Sequence, residues 1–119
     1  MFRRLGLLVA LFLGYSVCGH AATCYIEEYT ALSPIVVNYQ AATAPGVAKQ
    51  TVAIGGSSTQ SAAFSATTRL IRLECDATAS VEIGGTNPTA TATSARFSAG
   101  VPEYFMVSPG DKLAVITNN

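Results

Sequence analysis

The sequence predicts an all-β fold, a small antiparallel β-sandwich or jelly roll of about eight strands. Three observations support this prediction. Short segments rich in β-branched and aromatic residues recur along the chain, turn signals separate them at intervals of about 8–12 residues, and no convincing helical period follows residue 22. A chain of 119 residues is long enough for one small domain, which we place at residues 22–119.

The clearest strand pattern lies at residues 68–83. Two runs alternate between apolar and polar residues, which predicts two strands with one dry face each. The apolar positions are Ile71, Leu73 and Cys75 in the first run and Ala79, Val81 and Ile83 in the second. Asp76-Ala77-Thr78 lies between the runs, and an aspartate there can hydrogen-bond its own backbone downstream. We therefore interpret the two runs as a central hairpin with a tight turn.

The first strand is predicted at Thr23–Tyr29, which is rich in aromatic and β-branched residues. Its adjacent carboxylates, Glu27 and Glu28, point to opposite faces of a strand, so they cannot act as a paired acid and base. We expect both to be solvated charges on an edge strand. Two further strands are predicted at residues 35–40 and 49–54.

A Gly-Gly-Ser-Ser stretch at residues 55–58 closes the third of these strands. A phosphate-binding loop would continue into Gly-Lys-Ser/Thr and a helix, and neither follows here. The stretch is therefore predicted to be a plain loop. Residues 59–66 continue in small side chains with one large apolar anchor, Phe64.

Three more strands are predicted toward the C-terminus, at residues 95–99, 103–107 and 112–117. The middle strand is nearly continuous in apolar character, which is typical of a strand buried on both faces. Ser-Pro-Gly-Asp at 108–111 predicts a turn, because proline presets φ at its second position and Gly110 accepts a positive φ at its third. The residues predicted to form one shared core between two sheets are Ile71, Leu73, Val81, Ile83, Phe105, Val107, Leu113 and Val115.

Residues 1–21 have the layout of a secretory signal: two arginines, an apolar stretch and a small-residue exit that would place cleavage near Ala21. The apolar stretch is shorter and more interrupted by glycine than a membrane span of about 20 residues. Two alternatives remain, an over-extended start or a hydrophobic arm that is retained. Membrane contact is expected only if the segment is retained.

Charge argues against nucleic acid as a partner. The chain carries seven basic and seven acidic residues, and two of the basic ones, Arg3 and Arg4, lie in the N-terminal segment. Residues 22–119 therefore have five basic against seven acidic groups, a net charge of −2. Binding to DNA or RNA needs clustered lysine and arginine.

Composition also argues against catalysis and metal binding. The one histidine, His20, lies in the N-terminal segment, so the predicted domain lacks the usual general base near neutral pH and the commonest metal ligand. Zinc would need four ligands. The acidic residues available for calcium are Glu74, Asp76, Glu82, Glu103 and Asp111, and they lack the close spacing of a calcium loop. We expect no catalytic residue, no cofactor and no metal.

Two cysteines, Cys24 and Cys75, remain outside the N-terminal segment. In an oxidising compartment they could pair, and closing a loop this long would stabilise the domain by about 4 kcal/mol. Alternatively they are two ordinary strand residues, one of them buried, whose Cα atoms lie too far apart to bridge. We favour the unpaired alternative.

The second half of the chain has a recurrent order of motifs. The motifs are Arg69-Leu70-Ile71-Arg72-Leu73 with Asp76, then Ile83-Gly84-Gly85-Thr86-Asn87-Pro88-Thr89-Ala90, then Glu103-Tyr104-Phe105-Met106-Val107-Ser108-Pro109-Gly110-Asp111-Lys112-Leu113-Ala114-Val115-Ile116. Over about residues 57–117 this order resembles a family of small all-β virion structural proteins of tailed bacteriophages and prophages. Thr23–Tyr29 is a looser match to the start of such proteins.

The resemblance implies a non-enzymatic protein that decorates or cements a capsid, or occupies a head–tail or tail position. Its partners would be other virion proteins, with homo-oligomers on a virion assembled in the host cytoplasm. The family carries no catalytic residues to transfer. Few charges and many alanine, serine and threonine residues suit a permanent interface.

A second hypothesis is an exported β-sandwich adhesin or carbohydrate-binding module, periplasmic or secreted after cleavage near Ala21. It rests on the signal-like segment and on the five tyrosines, which could stack on sugar rings. Tyr25, Tyr29, Tyr39 and Tyr104 fall in predicted strands, where burial is the simpler explanation.

Overall fold

A computed structural model describes residues 19, 21–30, 32–34, 40–42 and 44–118. Ten strands are assigned in these ranges and no helix. The strands are β1 (Thr23–Tyr29), β2 (Leu32–Pro34), β3 (Gln40–Ala42), β4 (Ala48–Ala53), β5 (Thr59–Gln60), β6 (Leu70–Cys75), β7 (Ala79–Ile83), β8 (Ala95–Phe97), β9 (Glu103–Met106) and β10 (Leu113–Thr117).

Eight of these strands form two four-stranded sheets. The first sheet has the order β4-β1-β6-β9 and the second the order β5-β10-β7-β8, while β2 and β3 pair separately. Every pairing is antiparallel. The inner faces of the two sheets share one apolar core. The prediction of a small all-β sandwich of about eight strands is thereby confirmed.

Most strand positions agree with the sequence pattern. β1 coincides with its prediction, and β4 begins one residue early at Ala48. The strand predicted at residues 35–40 lies outside the described residues except for Gln40, which belongs to β3. The signal-like segment also lies outside the described residues, apart from Gly19 and Ala21.

The prediction that residues 68–83 form a central hairpin is wrong. β6 lies between β1 and β9 in the first sheet, whereas β7 lies between β10 and β8 in the second. Asp76 does not bond its own turn: its Oδ1 accepts from the backbone N–H of Thr23 at 2.6 Å, and its own N–H donates to Thr23 O at 3.0 Å. The turn therefore carries the chain from one sheet to the other, and the apolar faces of β6 and β7 meet across the core.

The predicted core is confirmed, with a gradient of burial. Ile71, Leu73, Val81, Leu113 and Val115 are at most 1% exposed, and Ile83, Phe105 and Val107 are partly buried against them. Phe97, which is 4% exposed, belongs to this core but was not among the predicted residues. Its ring lies 5.6 Å from that of Phe105, centroid to centroid, and inclined to it by 53°, in the range where aromatic pairs attract.

The expectation that Cys24 and Cys75 stay unpaired is wrong. The two cysteines are register partners on β1 and β6, their Cα atoms lie 4.0 Å apart, and their sulfurs form a disulfide. Both side chains are buried in the core. The two cysteines pair because β1 and β6 are neighbours in the sheet. Their separation of 51 residues in sequence gives no indication of that adjacency.

The prediction that the strand at residues 103–107 is buried on both faces is also wrong. β9 is the edge strand of the first sheet and pairs with β6 alone among the described strands. Tyr104 and Met106 are 55% and 70% exposed, while the alternate residues Glu103 and Phe105 are half-buried. A continuous apolar run cannot distinguish a central strand from an edge strand with an apolar outer face.

The predicted turn at residues 108–111 is confirmed. The N–H of Asp111 donates to Ser108 O at 3.1 Å, and Gly110 has a φ of +82°. A β-branched side chain strongly disfavours that φ.

We expect Gly110→Val to lower the free energy of unfolding by about 1–3 kcal/mol, because the residue must keep a positive φ. The measurement is the urea midpoint. Gly56→Val is the matched control: an added Cβ there meets no atom within 4 Å, and its φ lies outside the positive region. Equal losses in both variants would contradict the role assigned to the turn.

Candidate functional site

The middle of the outer face of the second sheet is covered by the chain itself. Ser80 and Ala114 point outward from β7 and β10, yet both are fully buried. The cover is the connector at residues 84–94, which contains the Asn-Pro-Thr-Ala motif. Gln60 Nε2 donates to Asn87 Oδ1 at 2.7 Å and to Pro88 O at 2.8 Å. The motif thus holds a loop against the sheet.

The outer face of the first sheet is different, because large side chains remain exposed on it. Alternation along four strands places one set of residues on this side, which we call the open face. Its larger side chains that are exposed or half-buried are Lys49, Thr51, Tyr25, Glu27, Arg72, Glu74, Tyr104 and Met106. Tyr29 and Leu70 lie on the same side but are buried. Tyr25, Tyr104 and Met106 are 46%, 55% and 70% exposed. The two sheets therefore present unlike outer surfaces.

A row of alternating charge crosses the open face. Register pairing places Lys49 opposite Glu27, Glu27 opposite Arg72, and Arg72 opposite Tyr104. Lys49 Nζ lies 3.5 Å from Glu27 Oε1, and the guanidinium of Arg72 donates to the Glu74 carboxylate. Both cations of the row are therefore paired with carboxylates, Lys49 with Glu27 in the row and Arg72 with Glu74 on its own strand.

A shallow depression of about 410 Å³ lies beside this row. Its lining residues are Tyr25, Ile26, Glu27, Lys49, Gln50, Thr51 and Arg72. The depression joins one exposed aromatic ring to the paired charges of three strands. A surface of this kind combines apolar contact with hydrogen bonding.

Two groups on this face have shifted pKa values. The pKa of Arg72 lies above its usual value, chiefly because Glu74 accepts a hydrogen bond from the guanidinium. The pKa of Tyr29, which also points to this side, is raised because burial disfavours the phenolate and Glu27 accepts its hydrogen bond. Both shifts hold the groups in the forms they already have at neutral pH, so neither is poised to exchange a proton there.

Burial was the simpler explanation for the strand tyrosines, and it fails for two of them. Tyr25 and Tyr104 are exposed, whereas Tyr29 is 7% exposed, and Tyr39 lies outside the described residues. The signal for Tyr25 was present in the sequence. Its neighbours Cys24 and Ile26 are both apolar, so a strand that buries them must turn Tyr25 outward.

The adjacent carboxylates of β1, Glu27 and Glu28, do point to opposite faces, as predicted, but they are not both solvated charges on an edge strand. β1 lies between β4 and β6, and Glu28 is 2% exposed. Glu28 accepts hydrogen bonds from Gln50 Nε2 at 2.8 Å, from the Ser65 N–H at 2.9 Å and from the Thr68 hydroxyl. The carboxylate joins β1 to the segment that leads into β6.

The acidic residues considered for calcium are scattered over separate local contacts. Glu82 accepts from the Ser94 hydroxyl at 3.0 Å, and the two carboxylate oxygens of Asp111 accept from the Gly85 and Ser108 N–H groups at 3.1 and 3.2 Å. Among the residues that the structure describes, no three His, Cys, Asp or Glu side chains are grouped to hold a metal ion. No helix in the same residues has the length and apolarity to cross a membrane.

The open face is therefore the site candidate of this fold, and its chemistry is that of a contact surface. Tyrosine rings and a methionine thioether offer apolar contact, and the paired charges between them offer hydrogen bonds. Compared with known proteins, the chain matches no protein-family model, no curated protein and no solved structure.

Proposed function

We propose that the protein is a non-enzymatic structural protein of a tailed-bacteriophage or prophage virion and that its open face contacts neighbouring virion subunits. The observation that carries the proposal is the contrast between the two sheets. The middle of one outer face is buried under the loop at residues 84–94, whereas the other face leaves Tyr25, Tyr104 and Met106 exposed. Tyr, Met and Arg are enriched in protein interfaces.

The resemblance of residues 57–117 to small virion proteins supports the class of partner. Its motifs have structural roles consistent with that class: the Asn-Pro-Thr-Ala segment covers one sheet, and the Pro-Gly turn precedes β10. A sandwich with one partly covered face and one open face suits a subunit that decorates or cements a capsid, or that sits at a head–tail or tail position.

The proposal predicts that purified virions contain this chain and that incorporation depends on the open face. In a phage carrying the Tyr25→Ala/Tyr104→Ala double variant, we expect the protein to fold and its copy number per virion to fall several-fold. Quantitative mass spectrometry of purified virions measures this. The control is Arg96→Ala, an exposed position on β8 of the second sheet, which should leave the copy number unchanged. Virions without the chain would contradict the proposal.

A second candidate is an exported adhesin or carbohydrate-binding module, and the disulfide specifically favours it. Disulfides persist in oxidising compartments and are rare in the cytosol, and the segment at residues 1–21 resembles a secretory signal. The exposed rings of Tyr25 and Tyr104 would then stack on sugars, with the paired charges of the open face binding hydroxyl groups.

The intact mass of the natural protein, measured in virion and periplasmic fractions, separates the two candidates. A chain cleaved near Ala21 in the periplasm with one disulfide favours export. A chain found in virions, starting at residue 1 or at a later start codon, favours the structural role.

A further inference from the structure

The β9 edge of the first sheet has a short set of backbone groups that have no partner among the described residues. The Val107 N–H donates to Arg69 O at 3.0 Å, and Phe105 and Glu103 follow in the same register opposite Ile71 and Leu73. Bonded and non-bonded positions alternate along an antiparallel ladder. The N–H and C=O groups of Tyr104 and Met106 therefore point away from β6, toward the edge.

This free edge is bounded at both ends. Pro102 has no N–H to offer, and the N–H of Ser108 already donates to Asp111 Oδ2 at 3.2 Å. Edge strands are usually protected by lysine, by a bulge or by a covering segment. β9 instead turns Tyr104 and Met106 outward, the two most exposed large apolar side chains of the described residues.

We propose that β9 pairs with β9 of a second copy of this chain, antiparallel and about a two-fold axis that passes between the two Phe105 residues. Tyr104 of each copy then lies opposite Met106 of the other, so two N–H and two C=O groups from each chain form four hydrogen bonds. Every free group between Pro102 and Ser108 is used. The two first sheets become one eight-stranded sheet with a continuous open face.

The side chains fit this register. On the open face each tyrosine ring contacts a methionine thioether across the strands, which is a favourable pair. On the inner side the two Phe105 rings face each other. Glu103 lies opposite Val107 of the other copy. Like charges directly opposite one another would disfavour pairing, and this register has none. The same strand therefore supplies both halves of a self-complementary contact.

This inference deepens the proposed function by naming a second copy as one partner, and it rests on that proposal only for its biological setting. The test uses protein purified from cells that express the full reading frame, without virions. Absence of a dimer would overturn this inference but not the proposed incorporation into virions. Absence of incorporation would contradict the proposed function but not the dimer.

Sedimentation velocity should show a concentration-dependent dimer. Met106→Pro removes one edge N–H per chain and no intramolecular ladder bond, so we expect dimer affinity to fall about 10- to 100-fold for the two lost bonds. Thr51→Pro is the matched control, because its N–H lies on the outward edge of β4. If the wild-type protein stays monomeric, the proposal is overturned. This holds also if β9 then proves to pair with a strand of a different protein.

A second pair of variants separates the edge from the face. Tyr104→Lys should weaken the dimer, while Tyr25→Lys, also exposed but on the interior strand β1, should not. The reverse result would assign the contact to the open face and overturn edge pairing.

Cross-linking tests the register directly. In a Cys18→Ser background, a mixture of Tyr104→Cys and Met106→Cys proteins should form a mixed disulfide dimer under mild oxidation, because the two positions are directly opposite. Each variant alone should not, since its own cysteines would sit diagonally, about 7–8 Å apart. Cross-linking of each variant with itself would overturn the proposed axis.

Discussion

Loss of the Cys24–Cys75 disulfide will lower the free energy of unfolding by about 4 kcal/mol. The bond closes a loop of 51 residues in sequence separation, and the unfolded chain gains the corresponding freedom when the bond is removed. A loss of this size is a large share of the about 5–15 kcal/mol that stabilises a small domain. Both cysteines are buried in the core, so a replacement must also fill apolar space.

The measurement is a urea unfolding curve with and without dithiothreitol. We expect the reductant to lower the midpoint of the wild-type protein toward that of Cys24→Ala/Cys75→Ala. The double variant is the control for the reductant. It has no disulfide between β1 and β6, so dithiothreitol should leave its midpoint unchanged. A wild-type midpoint that does not respond to reductant, while free-thiol titration shows both cysteines reduced, would contradict the prediction.

Glu28→Ala will destabilise the domain by about 3 kcal/mol, although Glu28 belongs to no proposed contact surface. Its carboxylate accepts from Gln50, from the Ser65 backbone and from the Thr68 hydroxyl, and it is 2% exposed. Removing it leaves buried donors without an acceptor, which costs more than the bonds themselves contribute.

Glu82→Ala is the control, an exposed carboxylate on β7. It accepts one exposed hydrogen bond, from the hydroxyl of Ser94 at 3.0 Å, and such a bond contributes about 1 kcal/mol or less. Thermal and urea unfolding of the two variants should therefore differ by about 2 kcal/mol or more. Equal effects would show that the buried carboxylate does not hold β1 to the segment before β6.

Sequence alone determined which side of most strands faces the core. Alternation in β6 and β10 identified Ile71, Leu73, Leu113 and Val115 as inward residues, and all are buried. The Pro-Gly pair identified a turn with a positive φ at Gly110. These features follow from the two-residue period of a strand and from backbone sterics, which act within a few residues of one another.

Tertiary structure decided which strands are neighbours, because that choice depends on packing between segments far apart in sequence. It placed β6 and β7 in different sheets and brought Cys24 beside Cys75. It also placed β1 in the centre of its sheet and β9 at the edge, which buries Glu28 and exposes Tyr104. A local pattern cannot encode these outcomes, since the same alternation suits a strand at any place in a sheet.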